Sequence, residues 1–442
     1  MKLLLVLVAT LAVACAGIVD SSLQVAVENG ETVAILELPQ MMGQVETNQA
    51  LQALAGDAKV SALVSALKVL TSSMQAPFIS IASSLGLKTE QFWASNIILI
   101  KGLTPEKLAS LAAKSGDFII RKSYTVSILP ADENITLNIE SNNVTQNLPQ
   151  WGVAKIRAPA VWPTTTGEGV VVAIIDTGVN HGHEALNAGY AGAWMDPINN
   201  TALPTDINGH GSHCAGTIVG RTNGIGVAPG ARWIACRGLD HNGNGQEHIL
   251  TQCAQFMLTA NPRPHVVSHS WGGGSGVTWY NSQILAMRSA GIIPVFANGN
   301  FGPTCPSSTS PGDQPNLISV GATTDTDAIA TFSSRGPNPN GVLKPELSAP
   351  GSNTLSCGTG VNDYVTLSGT SMACPHVAGA IALLLSVNPS WTYDDVFNAL
   401  STSAVHPELS SEDRICGLPE SGDFPNQAFG HGRIDIAAAL GL

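Results

Sequence analysis

From about residue 147 onward the chain carries short runs that are apolar at every position: 170–175, 233–235, 266–267, 292–296 and 317–320. A strand with one wet face alternates apolar and polar residues. A strand apolar throughout is buried on both faces, as in a parallel sheet covered by helices. Helix-like stretches stand between the runs, among them 246–259 and 281–290. This alternation predicts a doubly wound, mostly parallel α/β sheet. In such sheets reactive groups collect outside the carboxyl ends of the strands, so the residues that follow each run matter most. The length of 442 residues allows more than one domain, and 44% hydrophobic with 12% charged residues exclude a mainly disordered chain. The 45 Gly and 26 Pro follow no three-residue period, which excludes collagen. A formal charge of −12 with no basic stripe argues against nucleic acid as a partner.

The first 146 residues read differently. Lys2, the apolar run 3–13 and the small residues Ala14, Cys15 and Ala16 have the form of a signal peptide cut after Ala16. The run is short for an uncleaved membrane anchor, and lipidation of Cys15 is a third alternative. No later stretch has 18 unbroken apolar residues, so no membrane partner is expected. Residues 17–146 hold no Cys and one Trp. Strands are expected at 33–36, 96–100 and 118–128. A helix is expected from Pro105, with Thr104 as its N-cap, because the first helical position tolerates a missing N–H. These elements suggest a small α+β domain without chemistry of its own.

Secretion would permit disulfides. Seven cysteines follow Cys15: Cys214, Cys236, Cys253, Cys305, Cys357, Cys374 and Cys416. An odd number implies a free thiol or an intermolecular bond. No C-x-x-C pair supports zinc. Asn134, Asn143 and Asn199 begin glycosylation sequons.

The run 170–175 leads into Asp176-Thr177-Gly178. A carboxylate buried beside such a run needs partners; the plain alternative is a turn cap. Aspartic proteases also use D-T-G, in two copies, but Asp325-Thr326-Asp327 lacks the glycine. His210 and His213 stand three apart, and His181 with His183 forms a second pair, so a zinc hydrolase is a rival reading. No third ligand recurs at a set spacing. Ser371 precedes an apolar helix expected over 377–385, whose free N–H groups favour developing negative charge. The alternative there is an ordinary N-cap serine, and the α/β-hydrolase elbow fails at Ala373. Asn300 follows the run 292–296 and brings an amide to the same crevice. Ser, His and Asp make one machine: the base activates the hydroxyl, and the carboxylate fixes the imidazole tautomer. The order Asp176, His210, Ser371 is that of subtilisin rather than of chymotrypsin or the α/β-hydrolases.

These segments resemble those of subtilisin-like serine proteases (subtilases), with features of the proteinase K and bacillopeptidase branches. VVVAIIDTGV resembles their aspartate motif, NGHGSHCAGTI their histidine motif and LSGTSMACPHVAG their serine motif. SHSWGGG resembles the strand lining the substrate cleft, and FANGN the loop of the oxyanion-hole asparagine. FSSRGPNPNGVLKPELSAPG and AFGHGRIDIAAAL resemble structural signatures. The resemblance covers residues 147–442 and implies catalytic roles for Asp176, His210, Ser371 and Asn300. It implies cleft walls from Ser270, Trp271, Gly272 and Gly273 and from Ala297, Asn298 and Gly299. Residues 17–146 then resemble a propeptide, cut between about residues 130 and 150; the alternative is a constitutive accessory domain.

Further expectations follow from the same resemblance. Cys214 lies four residues after His210, as in the proteinase K branch, so its sulfur sits beneath the imidazole or is merely a small buried hydrophobe. Cys236 and Cys253, on a strand and the next helix, are candidates to pair. Segment 220–227 is shorter than in bacterial subtilisins, so their tight calcium site is not carried over. No metal or other cofactor is expected, and a structural calcium ion stays unassigned. Glycine-lined walls imply a broad, mostly apolar preference, with Trp271 narrowing a neighbouring pocket. The 71 residues after Ser371 leave no room for the extra domain of proprotein convertases. The implied protein is a secreted, monomeric serine endopeptidase made as a zymogen, acting on polypeptides and inhibited by its own propeptide. A metallohydrolase and a non-catalytic binding protein are the rival classes.

Overall fold

A computed structural model describes residues 17–129, 137–139, 148–417 and 423–442. The expected signal segment, the sequons at Asn134 and Asn143 and most of the expected cleavage window lie outside the described residues. The chain divides into two compact units: one holds the residues up to Val45 and Ser65–Ser123, the other Glu46–Val64 and Tyr124–Leu442.

The larger unit is built on a seven-stranded sheet. Its strands run in the order Leu347–Pro350, Ile318–Thr323, Ile293–Ala297, Val266–His269, Val171–Asp176, Arg232–Arg237 and Tyr190–Met195. Every neighbouring pair is parallel, so the doubly wound α/β expectation holds. Each expected apolar run lies on one of these strands. Val172 and Ile174 face one core, shared with Ile218 and Val377, while Ile175 turns to the opposite side near Leu250. Burial on both faces is why no position in 171–175 is polar. The helices His210–Val219 and Thr370–Val387 pack together, as do Glu247–Thr259 and Asn281–Ser289. From Val171–Asp176 the chain first winds outward to one side and then crosses to Val266–His269 on the other. That reversal opens a crevice at the carboxyl ends of these two strands.

Thr370–Val387 is longer than the expected 377–385, because the helix already begins one residue before Ser371. Among the described residues, it and Gly56–Ser84 are long and apolar enough to span a membrane by length and mean hydropathy alone. Its buried stretch is continuous from Thr370 to Leu385, as in the central helix of a folded core. In Gly56–Ser84 the buried positions Val60, Leu63, Leu67, Thr71, Gln75 and Phe78 recur at three- and four-residue steps, the stripe of a globular helix.

In the smaller unit, strands Val33–Glu37, Lys88–Phe92, Ile97–Lys101, Ile119–Arg121 and the short Ile18–Val19 form one sheet. Thr104 caps helix Pro105–Ala112 as expected. Leu23, Leu36, Ile98, Ile100, Leu108 and Phe118 close its core, and Phe78 meets Phe118 edge-on at 4.7 Å. The single strand expected over 118–128 is instead two. Ile119–Arg121 belongs to this sheet, whereas Thr125–Ile128 joins a different, three-stranded sheet in the larger unit. The compact unit ends at Ser123. The polar residues Lys122 and Ser123 interrupt the apolar pattern at the break.

Candidate active site

Asp176 is the last residue of its strand and is 1% exposed. Its Oδ1 accepts from the Thr177 N–H and lies 2.8 Å from His210 Nδ1. His210 opens helix His210–Val219, and two glycines bring that helix to the strand. Gly209 takes φ +98°, a conformation that side chains disfavour, and a Cβ there would meet Thr359 Cγ2 at 2.8 Å. Gly211 lets the helix approach so closely that a Cβ would stand 2.0 Å from the Gly178 carbonyl oxygen and 3.0 Å from Asp176 Cβ. With any side chain at 211, the helix or the turn at Gly178 would have to shift.

Sequence reasoning missed Asp206. Its Oδ1 accepts from Thr177 Oγ1 and from the N–H groups of Asn208 and Gly209. Its Oδ2 accepts from the N–H and hydroxyl of Ser212. One buried carboxylate thus satisfies the helix start that carries His210 and ties it to the turn after Asp176. The signal was an Asp four residues before His210, in a stretch too irregular for a capping box. Burial pushes the Asp206 carboxyl above the ordinary range, against the pull of these bonds. Burial also disfavours charged His210, but the Asp176 charge and hydrogen bond, with Asp206 behind them, outweigh it and raise the imidazole above 6.5.

Ser371 is the second residue of helix Thr370–Val387 and is 2% exposed. Its hydroxyl donates to the Ser270 carbonyl at 3.2 Å. Four residues on, Pro375 has no N–H to give to the Ser371 carbonyl. That carbonyl instead accepts from Ser270 Oγ at 2.9 Å and from Cys214 Sγ at 3.4 Å. Thr370 fixes the neighbouring loop: its N–H and hydroxyl both donate to Asn300 Oδ1 at 2.8 Å. The Asn300 amide nitrogen is left on the side of Gly369, where a Cβ would meet it at 3.0 Å. His210, Asn300, Ser371, Met372, Ile128 and Leu129 all line one cavity of about 390 Å³.

The two expected walls enter mainly through their backbones. Trp271 and Gly272 pair antiparallel with Ile128 and Ser127. The Trp271 side chain corrects the expectation that it narrows a pocket. It is 0% exposed, meets His269, Tyr280 and Phe296 edge-on, and donates its indole N–H to the Ile175 carbonyl at 2.8 Å. Alternation along the strand turns residue 271 inward, and the large ring gains more from the core than from the crevice. Ser270 and Gly273 flank this pair, Gly273 donating to the Ser310 carbonyl. Ala297 is buried at its strand end. The Asn298 side chain is locked between Ser334 O and Ser319 Oγ, and the Gly299 N–H donates to Thr370 Oγ1.

The histidine pairs do not converge. His213 turns away from His210, its Nε2 lying 3.0 and 3.1 Å from the carbonyls of Thr354 and Val365, and burial holds it down at about 3. His183 spends both ring nitrogens on the main chain, at Asp363 O and Ala185 N. His181 packs edge-on against Tyr190. Cys214 Sγ does lie close to the pair, within 4.8 Å of donor atoms of Asp176 and His210. Burial, with the Asp176 charge, pushes its thiol well up, so it stays protonated. Cys236 and Cys253 are bonded, Cys305 and Cys416 form a second disulfide, and Cys214, Cys357 and Cys374 are free and buried.

A family model described as "Subtilase family" matches residues 167–432. Bacillopeptidase F of Bacillus subtilis (strain 168) is 38% identical over 323 residues, covering 66% of this chain and 22% of that protein. Subtilisin amylosacchariticus of Bacillus subtilis subsp. amylosacchariticus is 38% identical over 267 residues, 59% of this chain and 67% of its own. An alkaline protease of Shouchella clausii is 35% identical over 279 residues, 62% and 69% respectively. The chain thus spans under a quarter of bacillopeptidase F and about two thirds of the others.

Proposed function

Because the chain belongs to the subtilase family, we propose that it is a serine endopeptidase working through an acyl-enzyme on Ser371. The observation that carries this reading is the 2.8 Å contact of His210 Nδ1 with buried Asp176, on the same cavity as Ser371. With Nδ1 held by the carboxylate, Nε2 is the basic end of the ring. The Ser371 hydroxyl leaves the Ser270 carbonyl, passes its proton to His210 Nε2 and attacks the scissile carbonyl. His210 then protonates the leaving amine, and water repeats the sequence to release the acid. The Asn300 amide and the Ser371 N–H at the helix start suit the developing oxyanion. Asp176 holds the tautomer and stabilises the imidazolium. The reaction as proposed uses no cofactor.

Residues 270–273 and 297–299 serve as the walls that pair with an extended polypeptide. Residues 1–16 serve for export, which fits a chain with two disulfides. Residues 17–146 act as a propeptide, so that the protein is made as a zymogen and works outside the cell. Asn199, exposed after strand Tyr190–Met195, is open to glycosylation.

Labelling with a fluorophosphonate probe, with Ser371→Ala alongside, tests the chemistry. The expected result is label on the parent only, together with a new N-terminus between about residues 131 and 151. In subtilisin, loss of the serine costs roughly 10⁶-fold in kcat, and a similar loss is expected for Ser371→Ala. A correctly shortened chain that takes no label sinks the serine reading.

A further inference from the structure

Strand Tyr364–Leu367 runs into the segment that carries Ser371 and pairs antiparallel with Thr354–Cys357. The turn between them, residues 358–363, is held at almost every step. The Gly358 N–H donates to the Asp363 carbonyl at 2.9 Å. The Asn180 side-chain amide donates to the Thr359 and Gly360 carbonyls at 2.8 Å each. The Glu184 N–H donates to the Val361 carbonyl at 2.8 Å, and His183 Nε2 lies 2.8 Å from the Asp363 carbonyl. Three residues from the stretch that follows Asp176 therefore fix this turn, and with it the base of the Asp363 side chain. The carboxyl group lies over two glycines; a Cβ on Gly358 or Gly360 would collide with one of its oxygens. Asp363 is exposed, and among the described residues nothing donates to its carboxylate. It lines the cavity that holds His210 and Ser371. It is the one acidic side chain there: His210 apart, the others on that cavity are apolar or neutral. The turn stands on the His210 side of the site, since Thr359 Cγ2 is what a Cβ on Gly209 would meet. The walls at 270–273 and 297–299 are tied to the Ser371 helix instead, by Ser270 Oγ to the Ser371 carbonyl and by the Gly299 N–H to Thr370 Oγ1.

Resting on the serine-endopeptidase reading above, we propose that Asp363 selects a lysine or arginine within the first two residues after the scissile bond. In that reading His210 hands its proton to the leaving amine. The departing chain therefore passes on the His210 side, where the turn stands. A long cationic side chain lays its apolar stem along Val365 and Leu367 and brings its charge to Asp363. An acidic side chain in the same place meets like charge. Attraction of one and repulsion of the other add, each on the scale of an exposed ion pair. The turn is anchored before substrate arrives, so little ordering of the protein is charged against the contact. The two walls present no acidic side chain, and the selection by charge belongs to the leaving half of the substrate alone.

The test measures kcat/KM on peptides that share one acyl half and carry Lys, Gln or Glu at the first or the second position of the leaving half. The protein is the full chain after whatever processing it performs on itself, with active sites counted by fluorophosphonate label. Lys is expected to exceed Glu by about tenfold at one of the two positions, with Gln between them. Raising the salt from about 0.01 M to about 1 M shortens the Debye length from about 30 Å to about 3 Å and should shrink that ratio. Asp363→Asn should bring the ratio to within about twofold of unity, and Asp363→Glu, which keeps the charge, should retain the preference for Lys. The same three residues placed in the acyl half serve as the control, and their ratio should not respond to Asp363→Asn. A ratio that responds there and not in the leaving half overturns the proposal. So does a preference for Lys that survives Asp363→Asn. A protein that takes label and cuts the Lys and Glu peptides equally well refutes the inference alone. One that takes no label and cuts none of the peptides refutes the serine chemistry beneath it.

Discussion

His210 stands under opposing influences, and their balance decides when it can work. Burial favours the neutral ring, while Asp176 and Asp206 favour the cation and win. The sign matters twice. As a group whose folded pKa is raised, His210 contributes stability in full below 6.5, and that contribution is lost as pH rises through the higher folded value. In its proposed role as general base it must be neutral, so activity is expected over the range in which this stabilisation disappears. The acid limb of kcat/KM is expected to have its midpoint above 6.5. Asp206→Asn should move that midpoint to lower pH, because one of the two charges that raise the ring is gone. It also takes an acceptor from the Ser212 N–H and hydroxyl, at a cost of about 1–3 kcal/mol in stability. A pH–rate profile and a denaturation curve of the variant check both; an unmoved limb would leave Asp206 a purely structural cap. For Asn300, removal of the amide should cost about 2.7–4 kcal/mol of transition-state stabilisation, the range found for such a donor in subtilisin.

The two helices that carry His210 and Ser371 are each fitted to the site by a residue chosen for what it lacks. Pro375 lacks an N–H, which frees the Ser371 carbonyl for Ser270 and Cys214. Gly211 lacks a side chain, which lets its helix close on the Asp176 strand. Gly211→Ala puts a methyl into the Gly178 carbonyl, so the helix must retreat. The expected cost is about 1–3 kcal/mol of stability from overpacking. Activity should drop by about 10²-fold or more, since a displacement on the order of 1 Å at a catalytic group has that effect. Kinetics of the variant should show the loss in kcat; a loss confined to KM would speak against displacement of the imidazole.

On the scale of the whole molecule, two cross-links brace the larger unit. Cys236–Cys253 closes 17 residues and Cys305–Cys416 closes 111. Loop-closure entropy gives the longer one more weight, about 4.7 kcal/mol against about 3. In a Ser371→Ala background, which cannot digest itself, Cys305→Ser with Cys416→Ser should lower the denaturant midpoint more than Cys236→Ser with Cys253→Ser. The reverse order would mean that native-state strain outweighs chain entropy.

The sequence by itself determined the parallel sheet, since runs such as 170–175 admit no wet face, and it determined the Asp, His and Ser candidates in their order. It also determined that Thr104 caps a helix, because capping is settled by residues within one turn of each other. Tertiary structure decided what depends on partners far along the chain. Residues 118–128 read as one strand, but hydrogen-bond partners are not encoded locally, and Thr125–Ile128 finds its partners at 244–246 and 271–272. The direction of Trp271 depends on a core assembled from 269, 280 and 296. The part played by Asp206 depends on where the turn after Asp176 comes to rest. Patterns of period two or three and a half fix elements; which elements then meet is decided by packing, and this cleft is lined by segments that packing alone brings together.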